Sequence, residues 1–269
     1  MPLAVCATPI GNLDDVTLRV IAELRAADVV LAEDTRHSRI LLERHGIDAR
    51  LLSFHEHNEA GRVATVLPRL EAGERIALVS DAGLPGLSDP GLRLVRAARE
   101  AGVEVTVLPG PSAVTTALVA SGLGDGRFVF VGFLPRRAKA LAAFWDETAF
   151  WDGALVAFES PKRLPASLRS LARAQPTRVA AVCRELSKRF EEVVVATAAE
   201  LAERFAEPPK GEITLVLEPR AAPDRARADT AALEAVLELV AAGAPRRTAA
   251  DVVARLTGAS RNALYRGTL

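Results

Sequence analysis

Cysteine, lysine, aromatics and long apolar runs are all scarce in this chain. The two cysteines, Cys6 and Cys183, each sit in an apolar run that reads as a strand or strand end. They read as small buried hydrophobes rather than as a disulfide or a metal pair. No uninterrupted apolar stretch approaches the ~18 residues of a membrane span, and the first residues lack a basic segment followed by a secretory apolar core. A cytoplasmic protein is therefore expected. Charge of one sign is absent too: 34 basic residues balance 34 acidic ones. Nucleic-acid binding would then need a local basic patch rather than a global field. Lysine occurs only at Lys139, Lys162, Lys188 and Lys210. Two phosphate-binding signatures are also missing. The loop after the first apolar run, Thr8-Pro9-Ile10-Gly11-Asn12, has one glycine and no lysine, so it is neither a P-loop nor a dinucleotide fingerprint.

What is present is a regular alternation. Leu3 to Ala7, Asp28 to Ala32, Arg50 to Phe54, Arg75 to Val79 and Glu104 to Leu108 read as strands. Val16 to Ala26, Arg36 to His45, Glu59 to Ala72 and Gly91 to Ala101 carry apolar residues at helical spacing between them. Strand and helix in strict turn imply βαβ units and a mostly parallel sheet. In the second half, Phe128 to Gly132, Ala154 to Phe158, Val179 to Cys183, Val193 to Thr197 and Glu212 to Leu217 read as strands, the last two with antiparallel character. Glycines in Ser121 to Arg127 mark a boundary, which gives an N-terminal α/β domain over residues 1–121 and a second α/β domain, with a mixed sheet, over 122–219. Pro219 to Asp229 reads as a linker within a final segment, 220–269, whose end is helical and basic. Pro245 to Leu269 holds five arginines against Asp251. Thr248 is expected to cap a helix ended by Gly258, and Ser260 to cap a second, in a helix-turn-helix rhythm. A solvated helical cap and a nucleic-acid contact both fit this segment.

In open α/β sheets ligands lie beyond the carboxyl ends of the strands, so those loops carry the functional information. Ser80 to Gly91 (SDAGLPGLSDPG) is the most unusual of them. Asp89, followed by Pro90 and Gly91, reads as a helix N-cap with proline at the first helical position. Asp81, close to the end of a buried strand, needs a partner that either an arginine or a ligand could supply. Prolines, small residues and carboxylates together suit a folded ligand bearing a cation better than a polyphosphate. His55-Glu56-His57-Asn58 is too thin a ligand set for a metal, so no metal site is expected. It reads instead as a loop that meets RNA or a partner subunit.

Several segments, in order and spacing, carry a resemblance: ATPIGNLDD, AEDTRHSRILLERHGI, SFHEHNE, VSDAGLPGLSDPG, VLPGPSA, FVGFLPRR, FESPKRL, CRELSKRFEE and KGEITLVLE, with SRNALYR in the tail. Together they resemble the rRNA small subunit methyltransferase I family, within the tetrapyrrole methylase (class III methyltransferase) superfamily. PGPSA is common to the superfamily; AEDTRHS, SFHEHNE and CRELSKRFEE point to the rRNA branch. The resemblance implies two α/β domains with S-adenosylmethionine (SAM) folded between them. It implies methyl transfer to a cytidine ribose 2'-hydroxyl in the decoding region of 16S rRNA by a homodimer. The cofactor positions it implies fall at Pro9, Asp81, Leu84, Ser112, Ala113, Phe158, Leu186 and Thr214.

Alignment of hydroxyl oxygen, methyl carbon and sulfur supplies much of the acceleration in such a transfer, so a dedicated base is optional. The candidates are Glu33, Asp34, His55, Glu56, Glu159 and Glu185. Glu185, flanked by Arg184 and Lys188, is the choice, set against the plainer reading of a surface ion-pair cluster. Arg36, Lys162, Arg163, Arg184 and Lys188, with His55, are the expected RNA contacts. Two other readings remain: a methylase acting on a tetrapyrrole or another small molecule, and a nucleic-acid-binding regulator using its C-terminal helices.

Overall fold

The computed structural model describes residues 2–148, 151–219 and 225–268. Its contacts divide the chain into two compact units, Met1–Pro219 and Arg220–Leu269. The first unit contains two five-stranded sheets.

The first sheet is built from β1 (Leu3–Cys6), β2 (Val29–Ala32), β3 (Leu51–Ser53), β4 (Ile76–Val79) and β5 (Val105–Leu108), in the order β3-β2-β4-β1-β5. Every pairing is parallel. Helices α1 (Leu18–Ala26), α2 (Thr35–Arg44), α3 (Glu59–Glu71) and α4 (Leu92–Glu100) connect the strands. Alternate residues of one strand feed opposite faces: Leu3 and Val5 join one apolar cluster, Ala4 and Cys6 another. A sheet covered on both faces explains the near-continuous apolar strands. Asp34 caps α2 by accepting from the Arg36 N–H, and Thr17 caps α1 by accepting from Val20.

The second sheet contains β6 (Phe128–Phe133), β7 (Ala154–Glu159), β8 (Val179–Arg184), β9 (Glu192–Thr197) and β10 (Ile213–Leu217), in the order β6-β7-β10-β8-β9. Only β6 and β7 run parallel; β10 is antiparallel to β7 and β8, and β8 to β9. One face is covered by α6 (Ala138–Glu147), α7 (Leu164–Ala174) and α8 (Ala198–Arg204). On the other lies α5 (Ala113–Ser121), whose Val114 and Ala117 pack with Val156, Ala181, Cys183 and Val216. Helix α5 precedes the glycine-rich boundary in sequence but packs on the second sheet. Ile10, from the loop after β1, joins the same cluster, so the two sheets share apolar core.

In the second unit, α9 (Arg225–Ala241), α10 (Arg246–Thr257) and α11 (Arg261–Arg266) surround Val236, Ala249, Ala250, Val253 and Leu264. Of the expected linker, residues 220–224 lie outside the described residues, and from Arg225 the chain is helical. Ser260 accepts from Ala263 as a cap and Gly258 ends α10 as expected. Thr248 does not cap α10. The helix begins two residues earlier, at Arg246 with Pro245 as its extended cap residue, which leaves Thr248 inside the first turn.

Candidate active site

The loops after β1, β2, β4, β7, β8 and α5's first turn converge on a cavity of about 370 Å³ between the two sheets. Ser112, Ala113 and Val114 reach it from the N-terminus of α5, where no side chain caps the first turn. The open N–H groups there favour a carboxylate. Ile10, Leu84, Phe158, Leu186 and Ile213 supply apolar wall, and Glu33, Asp81, Asp89, Glu159 and Glu212 the acidic part. Among the described residues that line the cavity, none is Lys, Arg or His.

Of the eight cofactor positions expected from the sequence, Asp81, Leu84, Ser112, Ala113, Phe158, Leu186 and Thr214 line this cavity. Pro9 instead lines a smaller neighbouring cavity of about 100 Å³, together with His37, Ser38 and Lys188. The two cavities share Ile10, Asp81, Ala82 and Glu212 as wall. The Asp81 carboxylate accepts from the Asp34 N–H at 3.0 Å and lies 4.0 Å from His37 Nδ1. Two backbone bonds between Thr8 and Gly83 fix the Asp81 loop against the loop after β1.

Asp89 is placed differently from its expected role. Helix α4 starts at Leu92 and its cap is Gly91 at φ +142°, so Asp89 caps nothing. Asp89 instead lines the cavity, where the Ser80 hydroxyl hydrogen-bonds its carboxylate. Burial, with Glu33 and Asp81 nearby, pushes it up to about 7. Glu33 is raised for the same first cause, burial, and then by the Asp81 charge.

Of the other expected catalytic candidates, Glu159 lines the cavity, whereas Asp34, His55, Glu56 and Glu185 do not. Asp34 grips Arg36 with both oxygens and is held well below the carboxylate range by those hydrogen bonds. Glu159 is buried and accepts from the Ser160 N–H and the Ser167 hydroxyl, with Arg163 3.3 Å away. His55 Nε2 is 3.2 Å from the Asn58 amide, and Glu56 is exposed. Glu185 stands in the left-handed region at φ +51°. Its Oε1 accepts from the Glu212 N–H and from Lys188 Nζ, both at 3.0 Å. The Glu212 amide and Lys188 lower its proton affinity, which makes it a poor base. Glu185 does not line the cavity, and its carboxylate ties the loop after β8 to the Glu212 backbone and to Lys188.

The expected RNA contacts divide in the same way. Arg163 donates to the Leu134 and Pro135 carbonyls, Arg184 pairs with Glu192, and Lys188 bridges Glu185 and Glu212. Each charge is occupied within the protein. Arg36 is exposed but paired with Asp34, whereas Lys162 is exposed and makes no ion pair among the described residues. Sequence reasoning counted Asp89 among the acids of these loops but gave it the cap role, and it missed Glu212, Cys183 and Phe133 as cavity residues. The buried Cys183 thiol is pushed up to about 12, so it lines the wall as a neutral group.

Comparison with known proteins decides what this arrangement is. The model of the Tetrapyrrole (Corrin/Porphyrin) Methylases matches residues 2–202, and that of the RsmI C-terminal HTH domain matches 227–268. Ribosomal RNA small subunit methyltransferase I of Mesorhizobium japonicum is 43% identical over 99% of this chain and 91% of its own length. The chain belongs to the ribosomal RNA small subunit methyltransferase I family of tetrapyrrole methylases. The relative of the same name from Escherichia coli O157:H7 is 42% identical over 99% of this chain and 94% of its own. The methyltransferase CobJ, at 21% identity, superposes with a TM-score of 0.62 over 81% of this chain and 94% of its own, which shows the shared fold. SAM is the methyl donor of the family. Among the described residues no cluster of His, Cys, Asp and Glu suits a metal, and no helix is long and apolar enough to cross a membrane.

Proposed function

We propose that this protein methylates ribosomal RNA, transferring the SAM methyl group to the 2'-hydroxyl of a cytidine ribose in the decoding region of the small subunit. The observation that carries the cofactor's place is the charge of the 370 Å³ cavity: five carboxylates in its wall and no basic side chain among the described lining residues. A polyphosphate is repelled there, while a sulfonium or an ammonium is attracted. The uncapped first turn of α5 suits the amino-acid carboxylate, and Ile10, Leu84 and Phe158 suit the uncharged nucleoside. The expected cofactor positions that line the cavity agree with that placement. RNA as substrate rests on the family and on the full-length relatives named above.

Bound, SAM supplies an electrophilic methyl carbon on a good leaving group. The chain has to hold the acceptor oxygen in line and receive one proton. Asp89 is the group we assign to that proton: it lies in the cavity wall, and its affinity is near neutrality. An acceptor is most effective when its pKa is close to the working pH. Asp89 would receive the ribose 2'-hydroxyl proton on a carboxylate oxygen, while SAM would supply the methyl group and leave as its neutral thioether, the methyl–sulfur bond breaking as the oxygen–methyl bond forms. Glu33 and Asp81 keep the surroundings negative, which favours the cationic donor and opposes early ionisation of Asp89. Glu159, held by Ser167 and Arg163, braces the wall.

The reading carries with it a place in the cytoplasm and a homodimer, the latter tested by sedimentation of the pure protein. The reaction is tested with radiolabelled SAM and small ribosomal subunits from a strain lacking the enzyme, followed by nuclease mapping. Label on a cytidine ribose in the decoding region is expected. Label on a base, or only on small molecules, would reject the assignment.

A further inference from the structure

The mouth of the cavity carries an aromatic ring that the fold takes trouble to turn outward. Strand β6 pairs in regular parallel register with β7 through Phe130, then slips, and pairing resumes at Phe133 opposite Phe158. Gly132, at φ +68°, makes the slip. A side chain there would be strained, and a Cβ would meet Ser88 Oγ at 3.4 Å. Bulges of this kind re-aim the following side chain. Phe133 is consequently 58% exposed while lining the cavity, beside Leu87 at 46%. It is not loose: its ring meets Phe158 edge-on at 5.6 Å, and Phe158 meets Phe130 at 4.8 Å. A braced ring with one open face is a stacking platform.

Its surroundings are basic. Phe133 is followed by Arg136, Arg137 and Lys139, all exposed and in no ion pair among the described residues. The Arg163 guanidinium donates to the Leu134 and Pro135 carbonyls at 3.1 and 2.8 Å, which ties this loop to the one bearing the exposed, unpaired Lys162. An unpaired cation cluster beside an open aromatic, at the rim of an acidic cavity, matches a single-stranded nucleotide: base on the ring, phosphates on the cations.

We propose that Phe133 stacks on a base of the acceptor RNA, with Arg136, Arg137 and Lys162 holding the adjoining phosphates, so that the ribose is presented to the cavity. This rests on the RNA-methylating reading above and names the residues that hold its substrate.

The test compares wild type, F133A and F133W as full chains. Three quantities are measured: SAM affinity by calorimetry, KM and kcat for small subunits, and quenching of 2-aminopurine in a single-stranded RNA oligonucleotide. F133A should raise KM for RNA and weaken the oligonucleotide roughly 5- to 100-fold, the usual range for one lost base stack. Because Phe133 also edges the cofactor cavity and braces Phe158, SAM affinity should fall in F133A, but at least about fivefold less than RNA affinity; F133W should restore binding, and only wild type and F133W should quench the probe. A loss of SAM affinity as large as the loss for RNA would overturn the proposal by assigning the ring to the cofactor's adenine. A shift to monomer in sedimentation would overturn it by assigning the ring to a subunit interface, and unchanged RNA binding would overturn it outright. The quenching arm needs no turnover. If wild type methylates no RNA, the RNA-methylating reading fails, and Phe133-dependent quenching still decides this one.

Discussion

Asp89 shows how far one carboxylate's role depends on where a helix begins. Its pKa near 7 means the folded protein keeps a proton that the unfolded chain releases near pH 4. That contribution to stability is complete below the unfolded value and is lost as pH rises from about 4 to about 7. For a half-buried, solvent-screened group the loss is about 1–2 kcal/mol. D89N removes it, so melting curves should show the variant gaining on wild type more at pH 8 than at pH 5. Turnover should move the other way: D89N is expected to lose about 100-fold in kcat, along with the rising limb of the pH–rate profile near pH 7, while calorimetry shows SAM still bound. Glu185 gives the contrast. E185Q retains an acceptor for the Glu212 N–H and should keep kcat within about twofold, whereas a lost base would cost at least ~100-fold.

At the scale of elements, much was legible because burial writes itself into periodicity. Strands β1 to β5 sit within a residue or two of their expected positions, since Val, Leu and Ala runs covered on both faces have few alternatives. The start of α4 was not legible, because Asp-Pro-Gly spells a capped helix locally, whereas Gly91 takes φ +142° so close to Leu78 that a Cβ there would meet its side chain at 3.0 Å. The same holds for Phe133: a strand pattern does not reveal a register slip that depends on the partner strand. Cations at the cleft were legible as residues but not as free charges, since Arg184 and Lys188 find Glu192, Glu185 and Glu212 only in the fold. The loop contact at Gly11 tests how tightly the cleft is set. A Cβ at Gly11 would lie 2.8 Å from the Leu186 carbonyl and 2.7 Å from Ser187 Oγ. G11A should therefore push apart two loops of the cavity, destabilising by about 1–3 kcal/mol in denaturant titration and weakening SAM at least tenfold by calorimetry.

The whole molecule is electrically balanced, with 34 charges of each sign, and its cavity between the two sheets is acidic. On the proposal above, RNA is drawn by exposed cations that make no ion pair among the described residues, among them Arg136, Arg137 and Lys162 at the cavity mouth and Arg246, Arg247, Arg255 and Arg266 on α10 and α11. Each phosphate contact to a single strand contributes about −0.7 to the slope of log K against log salt. Replacing Arg136 and Arg137 together by alanine should then flatten the slope by about 1.4. R184A should leave the slope as it is, because that guanidinium is already spent on Glu192 and the Lys210 carbonyl. Filter binding from low to moderate salt measures both. Equal flattening by the two variants would mean that the Arg184 ion pair opens on binding and that the RNA path crosses β8 rather than the β6 edge.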